Sequence, residues 1–471
     1  MQTKRKYLAK NIGLFALSGF VPKALSFFLV PLYTSILTTA QYGVADLIST
    51  TVMLLVPIFS LDIQDAAMRF ALDKHCDNRA VFTVGVKTVG IGTCLVSLLL
   101  FAVSLLGIPG FDGEYLFFTA IMFFATAGSN VFSLFCRGID KVKTVVVSSI
   151  LNSVIALTCN IVFLAVLGWG LTGYLLANTL GSLVAIVYML VAARLYRYVD
   201  LKTDTELRNA MFRYSFPLIF SVVAWWVNSA SDRYILTLIC GVGVSGIYAV
   251  AYKIPSILSM FGNVFSQAWS ISAIREFDSK DKDGFFGTTF SLMSFAMTLT
   301  CSVIMIANIP IASFLYAKDF FEAWRFVPPL LLAVVFDILC QFIGGVFTAT
   351  KDTKTLSCTT VAGAALNVVL NLLLIPYLGA MGAAIATMIG YGGVLAARVI
   401  ALRRHIKMRI AWGKVLTSYG LLIAQLVIAE FGVWLIPAQV AVLFGLVLLH
   451  RDETRSIIGL LKTIIESRCS R

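Results

Sequence analysis

The chain has 471 residues, 59% of them hydrophobic and only 13% charged, about half the charged share of an ordinary soluble protein. That leaves too little polar surface to face water on every side, which excludes a soluble globular fold. The net charge of +13 raises nucleic-acid binding, and the nine cysteines raise zinc or disulfides; the placement of the charges and the lack of any C-x-x-C pair argue against both.

A spanning helix needs about 20 mostly apolar residues. Runs of that kind lie at 11–37, 43–63, 81–106, 114–136, 145–167, 171–193, 214–239, 244–270, 286–307, 326–349, 356–376, 380–402, 412–430 and 433–449. They predict an all-α integral membrane protein of about 14 transmembrane helices. The basic start Met1 to Lys6 is like that of a signal peptide, but the apolar run continues past residue 30 through Pro22 and Lys23. It offers no small-residue cleavage site, so it reads as a retained first span.

Lys and Arg collect on cytoplasmic loops. With the N-terminus inside, all but six of the 37 lie on cytoplasmic segments; the exceptions are Lys318 and Arg325 in an outer loop and Lys23, Lys87, Arg233 and Lys253 within spans. Both termini are therefore expected in the cytoplasm. Basic loops facing an anionic inner leaflet account for the charge without nucleic acid.

Two stretches share a pattern. Lys143-Thr144, Asn160 and Leu167-Gly168 recur as Lys354-Thr355, Asn371 and Leu378-Gly379, and Gly173, Ala177 and Gly181 recur as Gly382, Ala386 and Gly390 after a loop two residues shorter. Six spans separate the copies, so the halves are expected to be parallel repeats about an axis along the membrane normal. The expected organisation is two six-helix lobes, 1–203 and 204–410, an appended helix pair at 411–450 and a cytoplasmic tail at 451–471. The Gly173-x3-Ala177-x3-Gly181 face reads as close helix packing.

Several motifs carry a resemblance: Pro31-Leu32-Tyr33-Thr34 with Tyr42-Gly43; Tyr214-Ser215-Phe216-Pro217-Leu218; Ser231-Asp232-Arg233-Tyr234; Gly246 to Lys253; and Asn367-x3-Asn371 through Pro376 to Gly379 and Gly382-Ala383-Ala384. In this order the chain resembles the polysaccharide transporter (Wzx-type O-antigen and oligosaccharide flippase) family of the MOP (multidrug/oligosaccharidyl-lipid/polysaccharide) exporter superfamily. The resemblance implies alternating access and the movement of undecaprenyl-diphosphate-linked sugar units across the bacterial inner membrane. The partners expected are that lipid-linked oligosaccharide, membrane lipids, and a polymerase with other polysaccharide assembly proteins.

Charges inside a span cost at least about 2.5–3.5 kcal/mol at the helix centre, so they usually face the protein interior or water. Lys23, Arg233 and Lys253 are therefore candidates to hold a diphosphate, with Lys87 either joining them or reaching to the inner surface. Trp225, Trp226, Asn228, Tyr234, Tyr252 and Gln267, with Asn263 and Trp269, form a polar-aromatic stretch suited to a glycan, although aromatics also anchor helices at interfaces. Acids available for ion coupling are Asp46, Asp62, Asp65, Asp232, Asp337 and Glu430. Asp337 and Asp232 are the leading pair; Asp62 and Asp65 read as solvated residues at the inner boundary. Asn367 and Asn371 share a face and suit interhelical hydrogen bonding.

An enzyme is not expected. His75, His405 and His450 all lie near the cytoplasmic boundary, and no phosphate-binding G-x-x-x-x-G-K-[ST] loop occurs. No catalytic residue, metal or cofactor is assigned. A lipid II flippase and a multidrug cation antiporter of the same superfamily stay as alternatives. Cations in the spans weigh against the antiporter.

Overall fold

The computed structural model describes residues 22–73, 75–105, 113–200, 205–275, 277–350, 352–451 and 453–454. The basic N-terminus, the tail beyond 454 and the first part of span 11–37 lie outside the described residues. After a helical stretch at 22–28, the helices are α1 (Val30–Ile36), α2 (Thr39–Phe59), α3 (Ile63–Ala71), α4 (Asn78–Leu105), α5 (Gly113–Gly138), α6 (Val142–Asn160) and α7 (Gly170–Ala192). There follow α8 (Thr205–Cys240), α9 (Val242–Ala251), α10 (Lys253–Arg275), α11 (Phe285–Ile306), α12 (Asn308–Leu315), α13 (Val327–Ala349), α14 (Thr353–Leu402), α15 (Trp412–Ala429) and α16 (Ile436–Leu449). Among the described residues there is no strand.

Ten of these helices are long and apolar enough to cross a bilayer, and α9 with α10, bent by 41°, makes an eleventh. Helix α14 has 50 residues, about 75 Å at the helical rise, more than twice the hydrocarbon thickness. It is two crossings joined at Gly379, whose φ of 55° and ψ of −134° leave the helical region. Glycine adopts such a backbone without a Cβ clash. The two halves pack back on each other as an antiparallel hairpin: a Cβ on Gly363 would meet Val394 at 2.0 Å, and one on Gly382 would meet the Leu374 carbonyl at 2.6 Å. Asn371 donates to Asn367 at 2.9 Å, and Asn367 reaches Thr387 at 3.5 Å.

The chain divides into two compact units, Met1–Tyr234 and Ile235–Arg471. The repeated sequence pattern has a packing counterpart in each. In the first unit, Gly173 faces Phe163 and Gly181 faces Asn152 and Ala156; in the second, Gly382 faces Leu374 and Gly390 faces Asn367. Small residues at these crossings matter because lipid tails are as apolar as leucine. Helices in a bilayer are held by close van der Waals approach rather than by escape from water.

Besides the bent and merged helices, two spans depart from the sequence expectation at their ends. The run 43–63 starts earlier and stops sooner. Thr38 and Gln41 form a capping box, Gln41 N–H donating to Thr38 Oγ1 at 3.2 Å and Thr38 N–H to Gln41 Oε1 at 3.0 Å, which sets the start at Thr39. At the other end Leu61 (φ 53°) and Asp62 (φ 49°) are left-handed, so the chain turns into the separate amphipathic helix α3. The run 433–449 supplies an apolar helix of only 14 residues.

Candidate functional site

In the first unit, α2 and the part of α8 up to Tyr234 meet through polar groups. Tyr42, Asp46 and Thr50 fall on one face of α2 by their spacing of four, and Trp226, Arg233 and Tyr234 share a face of α8. Arg233 Nη1 lies 3.3 Å from both carboxylate oxygens of Asp46. Both side chains are largely buried, with 16% and 18% exposure. Trp226 Nε1 donates to the Thr50 carbonyl at 2.8 Å, and the hydroxyls of Thr51 and Tyr234 lie 2.6 Å apart. The Trp226 and Tyr234 rings sit with centroids 5.4 Å apart. Asp232 is buried and accepts from the Arg233 backbone N–H at 2.9 Å.

The remaining cations of this unit are placed differently. Lys23 is exposed on the helical stretch 22–28 and has no ion-pair partner among the described residues, and Lys87 is half-buried on α4. Trp225 is 52% exposed, while Trp226 is buried with its indole N–H satisfied. Asn228 is half-buried.

In the second unit, Lys253 is the first residue of α10, directly after the 41° bend. It is half-buried, and its amine has no acidic partner among the described residues. Around the bend, the Tyr248 and Tyr252 hydroxyls lie 3.1 Å apart, and Tyr316 Oη donates to the Val250 carbonyl at 3.1 Å. Trp269 is a packing residue: its indole N–H donates to the Phe342 carbonyl at 2.8 Å and its ring stacks on Phe342 at 4.0 Å. The side chain of Gln267 lies outside the described residues.

Asp337 accepts from Gln341 Nε2 at 2.9 Å, one turn along α13. Arg398 acts on it electrostatically. This arginine is buried on α14 and spreads its fork over three acceptors: the Cys340 carbonyl at 2.7 Å, Thr360 Oγ1 at 2.9 Å and Thr359 Oγ1 at 3.2 Å. Sequence reasoning counted Arg398 among the inner-loop cations, although it lies four residues before the helix end at Leu402. Its apolar neighbours Ala396, Ala397, Val399 and Ile400 were the signal that it lies within the bundle. Asp46 stood among the acids but not among the leading candidates, since a partner 187 positions away leaves no local trace.

Helices of this length and composition define a multi-pass membrane protein. Residues 8–277 match the family described as polysaccharide biosynthesis protein, and the chain belongs to that family, within the MOP superfamily. No curated protein sequence matches the chain. Among solved structures, the lipid II flippase MurJ in an inward closed conformation aligns with a TM-score of 0.69 at 15% identity, over 93% of this chain and 99% of that one. An inward-facing multidrug resistance MATE family transporter of the MOP superfamily gives 0.65 at 15% identity, over 82% and 98%. A MOP superfamily transporter from Pyrococcus furiosus, described as having a binding pocket of reverse polarity, gives 0.53 at 17% identity, over 84% and 96%. At these identities the neighbours establish a shared fold.

Proposed function

We propose that the protein is a flippase that carries an undecaprenyl-diphosphate-linked oligosaccharide across the bacterial inner membrane by alternating access. The observation that carries this reading is a set of cations on apolar helices: Lys23 and Lys253 without an acidic partner among the described residues, and Arg233 beside the Asp46 carboxylate. Positive charge kept on apolar helices is costly unless an anion compensates it. A diphosphate offers that compensation through charge-assisted hydrogen bonds, which suit the guanidinium fork and the ammonium groups. In this reading the diphosphate takes Arg233 from Asp46 in the first unit, with Lys23 adding charge and exposed Trp225, Asn228 and Tyr234 contacting the sugars; Lys253 and Tyr252 are candidate phosphate and sugar contacts of the second unit taken by itself. Membership of the polysaccharide biosynthesis family supports a glycan cargo. Asp337 and Asp232 are the proposed ion-coupling acids.

The test is export of surface glycan in cells carrying Arg233→Ala or Lys253→Ala, with membrane insertion checked in the same cells. Loss of surface glycan with normal insertion is the expected result. Wild-type glycan from both variants would overturn the reading.

A further inference from the structure

The joint between α2 and α3 carries a second polar cluster, one that the transport proposal does not use. Helix α2 ends at Phe59, and Leu61 and Asp62 both take left-handed backbone, with φ of 53° and 49°. Two such non-glycine residues in succession are strained, so the surroundings must hold them. They do: α3 buries Ile63, Ala66, Ala67 and Ala71 in the core that α4 and α5 share. Gly92 on α4 also comes so close that a Cβ there would lie 2.4 Å from the Phe59 carbonyl oxygen.

This turn leaves Asp62 fully buried, with Oδ1 accepting from Gln64 Nε2 at 2.9 Å. Its second oxygen, Oδ2, is buried without a hydrogen-bond partner, and so is Gln64 Oε1. Asp65 lies one turn on, its backbone N–H donating to the Asp62 carbonyl at 3.3 Å, and its carboxylate acts on Asp62 electrostatically. Two ionised carboxyls and an amide oxygen can only accept. A buried cluster of acceptors is satisfied only by something that brings a proton or a positive charge. Among the described residues no group of three or more His, Cys, Asp or Glu side chains comes together to hold a metal ion.

We propose that Asp62 and Asp65 form a proton-binding site at the α2–α3 joint, with one proton held between the two carboxyl groups. The charged residues on the helices packed here are Asp46 on α2, Asp65 and Arg69 on α3, Arg79 and Lys87 on α4, and Glu114 and Arg137 on α5. Of these, Asp65 acts on Asp62 electrostatically. Burial, and after it the Asp65 charge, push the Asp62 carboxyl up to about 6. Loss of the proton leaves two like charges within the first turn of α3, beside the close approach of Gly92, and their repulsion acts to open that turn. The joint thus gains a proton-dependent restraint. The site does not depend on which molecule the protein transports.

Infrared difference titration of the full-length protein in lipid nanodiscs tests this, with the protonated-carboxyl band followed against pH. Wild type minus Asp62→Asn should show one carboxyl titrating near pH 6 that the variant lacks. Asp65→Asn keeps the buried acid but removes the neighbouring charge, so the Asp62 midpoint should fall toward the ordinary 3.8. If Asp62→Asn fails to insert, the Asp65→Asn shift decides alone. A titration identical in wild type and Asp65→Asn overturns the proposal, and so does a midpoint that moves with sodium concentration, which would mark a metal-cation site.

Discussion

Removing Asp46 should strengthen the protein's hold on an anion. In the resting geometry Arg233 Nη1 is shared between the two Asp46 oxygens at 3.3 Å each, so an anion that draws on Arg233 competes with that carboxylate. Charges about 4 Å apart attract by about 4 kcal/mol at an effective dielectric of about 20. Desolvation of this mostly buried pair cancels a large part, leaving a net pairing of about 1–2 kcal/mol. Asp46→Asn keeps the shape and an acceptor oxygen but removes the competing charge. The affinity for a polyprenyl diphosphate should therefore rise about 5–30-fold, the factor that 1–2 kcal/mol represents. Arg233→Gln should lower it. Both are measured by titrating the lipid into purified protein in nanodiscs, with Asp46→Asn/Arg233→Gln closing the cycle. Unchanged or weaker binding in Asp46→Asn would refute the competition, whatever Arg233→Gln does.

Three further outcomes follow from particular contacts. Arg398→Lys should lower stability by about 1.5–3 kcal/mol, because an ammonium cannot reach the Cys340 carbonyl and both threonine hydroxyls as the fork does; thermal unfolding in detergent reads it. Gly92→Ala should cost about 1–3 kcal/mol by forcing α4 off the Phe59 carbonyl, seen as a lower unfolding midpoint, whereas Gly90→Ala, with open space around it, should not. His450, just beyond the end of α16, accepts from or donates to Ser418 at 2.8 Å and stacks on Phe295 at 4.8 Å. Its burial lowers its pKa below the ordinary 6.5, despite the Glu453 carboxylate that opposes the shift. The unfolded chain then takes up the proton first, so this contribution is complete above pH 6.5 and is lost as the pH falls below it. His450→Gln should flatten that slope in unfolding midpoints measured against pH.

The membrane architecture was legible because about 20 apolar residues in a row is a local signal, and it placed α4 to α7, α11, α13 and α15 within a few residues. The interruptions were less legible. Phe59 to Ile63 carries Ser60 and Asp62, which mark an ordinary span end, and nothing in them announced that Leu61 and Asp62 reverse the backbone. Gly379 was visible as a span boundary but not as a hairpin without a loop between its helices. The site was legible as a list of charges and not as pairs. Arg233 and Asp46 each stood out on an apolar helix, but their contact depends on how α2 and α8 pack. Asp62 was set aside as a solvated boundary residue. Its burial comes from the fit of α3 against α4 and α5, which periodicity along one helix does not encode.

The turn at Gly379 bears on how the protein reaches its membrane. Its two crossings are joined by a single non-helical residue, and matched contacts run between them from Gly363–Val394 to Leu374–Gly382. With so little chain at the apex, the second crossing has no slack in which to wait outside while the first settles. The pair must enter the bilayer as one preformed wedge, so a reporter tag inserted at the apex should block biogenesis rather than map topology.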